Sequence, residues 1–178
     1  MFKKSVFRLV DLIAVASVDK GNVAVIVEAL TDNPKRTAPI VRSIFGKAGC
    51  VMGETGSVAF NFQRVGLIEY PASVAEADAM FEAALEAGAD DVESDEETHR
   101  ILCAPDDLGA VREALEAKFD TPTVCRFDWK PLVEAELTDV DVAKKFFDFV
   151  ETLNDEEDVQ RVASNVSVSD EIMAKLED

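Results

Sequence analysis

Only one histidine occurs in the chain, His99, so a metal site built from several imidazoles is excluded. A histidine-activated nucleophile would have to pair it with Cys103 or Cys125, and no motif supports such a dyad; His99 reads as an ordinary strand residue. Cysteines are also few: Cys50, Cys103 and Cys125 are odd in number and widely spaced. That excludes a disulfide framework or a zinc site of paired cysteines and fits a reducing cytoplasm. Cations are scarce as well, 18 Lys and Arg against 36 Asp and Glu, for a formal net charge of -18. A chain so acidic is a poor general binder of polyanions. No uninterrupted apolar run approaches the ~20 residues of a membrane span.

What is present suffices for folding. Of 178 residues 48% are hydrophobic, enough for one ordinary domain or two small ones. Charge is uneven: residues 1–64 hold nine cations against five acids, a balance of +4, and residues 65–178 hold nine against 31, a balance of -22. Any polyanion contact therefore belongs to the first third. Within it, Lys35, Arg36, Arg42 and Lys47 gather between Glu28 and Gly49.

Lys3, Lys4 and Arg8 precede an apolar run ending Ala14-Val15-Ala16, an arrangement resembling a secretory leader. Asp11 interrupts it and the odd cysteine count opposes export, so residues 1–20 are expected to form a short helix or an atypical start.

From Gly21 the periods are clearer. "NVAVIVEAL" is almost continuously apolar and β-branched, as in a central strand covered on both faces. Asp32 or Asn33 then caps a helix with Pro34 in its first turn and Ile40, Val41, Ile44, Phe45 and Ala48 on one face. Gly53 and Gly56 shape a loop, "SVAFNFQ" reads as a strand, and "RVGLIEY" as its hairpin partner. Past Pro71, Ser73 and Glu76 form a capping box for a helix ended by Gly88. Two short strands follow, Asp91 to Ser94 and Thr98 to Cys103. A helix from Asp106 and a strand "TVCRFDW" complete this stretch. Thr138 then caps a long helix with Val142, Phe146, Val150 and Leu153 inward, and "VQRVASNVSV" forms the last strand before a short helix.

Setting aside residues 72–131 leaves β-α-β-β followed by α-β, the split βαβ order of a ferredoxin-like unit; the excised part reads α-β-β-α-β, nearly the same. The expected fold is α+β with two ferredoxin-like units. A discontinuous domain of residues 21–71 plus 132–178 receives an inserted domain of residues 72–131. This requires the strand at Val23 to Leu30 to pair with the one near Val159 to Val168.

"TDNPKRT" (Thr31 to Thr37), "GETGSVAF" (Gly53 to Phe60), "EAALEAGADD" (Glu82 to Asp91) and "EEDVQRVASN" (Glu156 to Asn165) together resemble the YebC/PmpR family, which includes the mitochondrial translational activator of cytochrome oxidase subunit I. The motif residues are Thr31, Asp32, Asn33, Thr37, Gly53, Gly56 and Ser57. The resemblance implies a non-enzymatic, cytoplasmic regulator of transcription or translation that contacts DNA or ribosomal RNA, with no cofactor and no membrane. It also implies a basic helical domain opening near Gly-His-Ser-Lys-Trp and a Tyr-Gly-Pro-Gly-Gly turn. The chain lacks both, with "VDKGN" in place of the turn, so either a short paralogue or a gene start placed too late is expected, with weak nucleic-acid contact.

Two readings of the cation cluster stay open. The helix start at Asn33 offers backbone N–H groups and a positive dipole end beside Lys35 and Arg36, a seat for phosphate. Equally, Thr31, Asp32 and Asn33 cap the helix, and the cations solvate it. The glycines of "GKAGCVMGETGS" lack the Lys-Ser/Thr of a phosphate loop. "DDVESDEE" lacks the glycine and distant glutamate of an EF-hand. Neither zinc or calcium binding nor nucleotide hydrolysis is expected. The alternative function is a protein-interaction or small-ligand regulatory module that binds no nucleic acid.

Overall fold

The computed structural model describes residues 7–18, 21–54 and 57–177. They divide into two compact units, one running to Gln63 and resuming at Pro131, the other spanning Arg64–Lys130.

The first unit opens with strand β1 (Phe7–Val18), followed by β2 (Gly21–Thr31), helix α1 (Pro34–Lys47) and the two-residue strand β3 (Val51–Met52). β1 pairs antiparallel with β2, Ala16 opposite Val23, and with β3, Ala14 opposite Met52. Within residues 1–20, expected as a short helix or an atypical start, residues 7–18 are therefore an inner strand, and the remaining eight lie outside the described residues. An apolar run too short for a helical span is long enough to satisfy its backbone in a sheet, where pairing with β2 and β3 overrides local preference.

The second unit is built from β4 (Phe62–Pro71), α2 (Ala77–Ala87), β5 (Asp91–Ser94), β6 (Thr98–Cys103), α3 (Leu108–Phe119) and β7 (Val124–Pro131). Its strands lie in the order β5-β6-β4-β7, the β-α-β-β-α-β arrangement of a ferredoxin-like unit. Ile68 and Tyr70 of β4, Met80 and Ala84 of α2, Ile101 of β6 and Val111 and Leu115 of α3 make its core. "RVGLIEY" is thus the first strand of this unit rather than a hairpin partner in the other. Its supposed partner "SVAFNFQ" is a turn and a 3-10 helix, Ala59–Asn61, that run straight into β4 at Phe62, with Phe60 75% exposed. α2 begins at Ala77 after a 3-10 turn, with no side-chain bond from the Ser73 and Glu76 box. Gly88 ends it in the left-handed region, φ 94°.

Back in the first unit come β8 (Ala135–Leu137), α4 (Val140–Asn154), β9 (Val159–Ser164), β10 (Val166–Val168) and α5 (Asp170–Glu177). Asp139, not Thr138, caps α4, its carboxylate accepting from the Val142 amide at 3.0 Å. β9 pairs antiparallel with β2, Val25 opposite Ser164, as the insertion reading requires; β10 instead pairs parallel with β8. The main sheet order is β3-β1-β2-β9. With β2 as first strand, β3 as second and β9 as fourth, β1 fills the third place of a ferredoxin-like sheet. α1 and α4 cover it, with Val41, Phe45, Phe146, Phe149 and Leu153 packed over Val23, Val25 and Val27. Phe45 meets Phe149 edge-on, centroids 4.9 Å apart.

Candidate nucleic-acid interface

The end of β2 runs into α1 through Thr31, Asp32 and Asn33, and the turn closes inward. The Asn33 amide donates to Thr31 Oγ1 at 3.0 Å, and the Arg36 and Thr37 amides donate to the Asn33 carbonyl at 3.0 and 3.2 Å. Pro34 has no N–H to offer. Asn33 occupies the cap position without a side-chain cap bond. Most of the donors that would cradle a phosphate at this helix start are already engaged.

Thr31 and Thr37 are buried, at 2% and 0% exposure, and both face Asp158, just ahead of β9. The two hydroxyl oxygens lie 2.8 Å apart. Each is within hydrogen-bonding reach of Asp158 Oδ2, so two hydroxyl protons serve the three edges of a triangle. Arg36 Nη2 donates to the same Oδ2 at 2.9 Å and reaches Asp32 at 3.3 Å. The Thr37 hydrogen bond first, then that of Arg36, holds the Asp158 carboxyl below its ordinary 3.8. The Leu30 amide donates to the Asp158 carbonyl at 2.7 Å. "TDNPKRT" and "EEDVQRVASN" are therefore the two halves of one clasp. At the far end of the second motif, buried Asn165 accepts from the Ala24 amide at 2.7 Å and donates to the Val133 carbonyl at 3.0 Å.

The four cations of α1 consequently separate. Arg36 is neutralised within the clasp, whereas Lys35, Arg42 and Lys47 are exposed. Among the described residues, no carboxylate lies within ion-pair distance of Lys35, Arg42 or Lys47, nor of Lys144 and Lys145 on α4. Elsewhere Arg100, Arg112, Lys118, Arg126, Lys130 and Lys175 are salt-bridged, and Arg161 is partnered. Arg64 lies over the rings of Phe127 and Trp129, at 5.2 and 5.6 Å. Among the residues whose side chains are described, the unpaired cations thus fall on two neighbouring helices of one unit.

The other motif residues hold a turn. The Ser57 amide donates to the Glu54 carbonyl at 3.0 Å, Gly53 is half-buried, and Gly56 lies outside the described residues. His99 is buried, with Nδ1 2.8 Å from Ser94 Oγ and Nε2 2.9 Å from the Ala75 carbonyl, so strand and turn engage both ring nitrogens. Burial pushes the Cys103 thiol up to about 11. Among the described residues no three His, Cys, Asp or Glu side chains are placed to share a metal ion, and no helix is long and apolar enough to cross a membrane. Asp158 and Asn165 are the positions organising this end of the unit that local sequence patterns do not reveal, although both lie in the "EEDVQRVASN" motif.

An α+β chain of two ferredoxin-like units, one interrupting the other, is the class that fold and motifs define. A family model described as "TACO1/YebC second and third domain" matches residues 14–166, and the chain belongs to that family. It is similar to the crystal structure of a conserved hypothetical protein, Aq1575 from Aquifex aeolicus. The two are 34% identical with a TM-score of 0.87, over 97% of this chain and 70% of that one. Membership places the chain among regulatory or nucleic-acid-associated factors, a family known as regulatory rather than catalytic.

Proposed function

We propose that the chain is a non-enzymatic cytoplasmic factor that regulates translation by contacting RNA phosphate on the ribosome. The observation that carries this reading is that, among the described side chains, the unpaired cations gather on α1 and α4 in a chain of net charge -18. Acidic surroundings would be expected to quench exposed lysines, and they do so elsewhere in the described chain. Cations kept free on two neighbouring helices suit a polyanion.

The test is co-sedimentation with ribosomes at low salt. The Lys35→Glu/Arg42→Glu/Lys47→Glu triple variant should lose it while melting like wild type, because all three side chains are exposed. Charge reversal of salt-bridged Arg112 or Lys118 should change little. Unchanged co-sedimentation of the triple variant, or none by wild type, overturns the reading in favour of a protein-interaction module.

A further inference from the structure

Between α1 and α4 lies a cleft of about 460 Å³, inside the ~300–1,000 Å³ range of small-molecule sites. Ile44 and the exposed edge of the largely buried Phe149 supply its apolar floor, Ala48 its end, and Lys47, Lys145 and Asp148 its charged rim; Thr152 also lines it, its hydroxyl donating to the Asp148 carbonyl at 2.7 Å. Lys145 and Asp148 stand one turn apart on α4 yet form no ion pair with each other, and Lys47 has no carboxylate partner among the described residues. Two cations and one carboxylate are therefore free above a hydrophobic floor.

This combination selects by chemistry. A bare anion would meet Asp148, a hydrocarbon would strand both lysines, and a carboxylate-rich peptide would satisfy the lysines while repelling Asp148. A ligand with phosphate, a flat body of modest polarity and an amino group satisfies every lining group. An unpaired cytidine or adenosine within a strand fits that description.

We infer that the α1/α4 cleft takes one unpaired nucleotide of single-stranded RNA. Its flanking phosphates lie on Lys47 and Lys145, its base on Ile44 and Phe149, and its exocyclic amino group at Asp148. The inference rests on the reading that this face contacts RNA and adds which form of RNA it takes. Bases of a duplex are paired and stacked and do not enter the cleft. Lys35, Arg42 and Lys144 lie outside it and serve either form through phosphate alone.

Fluorescence anisotropy on the full chain tests this, with short oligocytidine, oligouridine and a duplex of equal length as probes. Ala48 is exposed at the end of α1, so Ala48→Trp fills the cleft without changing charge or core. By excluding the base it should weaken oligocytidine binding roughly fivefold, the low end of the worth of one stacked base because Phe149 offers only an edge, and leave duplex binding unchanged. Asp148→Ala should erase any preference for oligocytidine over oligouridine. Lys145→Ala should lower the slope of log affinity against log salt by about 0.7 on the single strand. If Ala48→Trp leaves oligocytidine binding intact, or weakens the duplex equally, the cleft inference falls. Loss of binding in the Lys35, Arg42 and Lys47 reversal would still uphold the wider reading. Absence of binding to either RNA form overturns both. Binding of an oligoglutamate peptide with the same sensitivity to Ala48→Trp would make the cleft a peptide site and also overturn the inference.

Discussion

Thr37 and Asp158, 121 residues apart in sequence, share a hydrogen bond that joins the start of α1 to the start of β9. The second unit is threaded between them, so this contact draws together the two arms of the discontinuous unit. Asp158→Ala should cost roughly 2–3 kcal/mol, because it removes the acceptor shared by two buried hydroxyls. Thr37→Val keeps the shape and should cost about half as much. Denaturant midpoints check both; neutral substitutions would show the clasp to be energetically idle.

The same contact gives a pH signature. Asp158 titrates below its ordinary 3.8 in the folded chain, so its stabilisation is complete above the unfolded value and is lost as pH falls through the folded one. The melting-temperature gap between wild type and Asp158→Asn should therefore be widest near neutrality and close under acid, below about pH 4. A gap independent of pH would mean that the charge contributes nothing.

Gly66 on β4 tests the packing of the second unit. A Cβ there would lie 2.8 Å from Cys103 Sγ and 2.9 and 3.0 Å from the Cδ1 and Cβ of Leu108. These neighbours are buried and cannot swing aside. Gly66→Ala should destabilise by about 1–3 kcal/mol, read as a lower denaturant midpoint at constant slope. An unaltered midpoint would contradict so close an approach.

Much of this architecture was legible in the residues, and the exceptions share one cause. β2 is visible in an almost continuous apolar, β-branched run, and it is buried from Val23 to Val27. α1 and α4 were visible in their apolar spacing. The "RVGLIEY" strand reads as part of the wrong unit because the alternation of Val58, Phe60 and Phe62 directly before it imitates a strand for it to pair with. That one displacement made each unit look one strand out of place. The strand truly missing from the first unit was β1, whose basic and apolar run imitates a leader. Asp158 was illegible for a related reason: its partners lie beyond an entire inserted unit, where no local period points. The cations were legible as a cluster, but only geometry separates Arg36, consumed by Asp158, from Lys35, Arg42 and Lys47.

Thiol reactivity offers a check on burial that needs no mutation. Cys125 is exposed, Cys50 partly buried with its thiol pushed up by burial, and Cys103 buried and pushed up to about 11. At neutral pH a disulfide reagent should modify Cys125 first and reach Cys103 only at the rate of unfolding. Rapid modification of Cys103 in the native chain would show that the second unit opens locally.

The most discriminating prediction separates two neighbours on α1. Arg36 and Lys35 are adjacent, both exposed and both cationic, and by sequence alone they are equivalent phosphate ligands. Arg36 spends its guanidinium on Asp158 and Asp32, whereas Lys35 has no acidic partner among the described residues. Arg36→Ala should therefore lower the melting temperature while leaving ribosome co-sedimentation intact at temperatures where the variant is folded. Lys35→Ala should do the reverse, reducing co-sedimentation and shallowing its salt dependence with no change in melting. Combining them should add the two effects without synergy, since the side chains share no partner. If Arg36→Ala instead abolishes co-sedimentation in a fully folded protein, its bond to Asp158 must yield to phosphate on binding. The clasp would then be part of the interface rather than its scaffold.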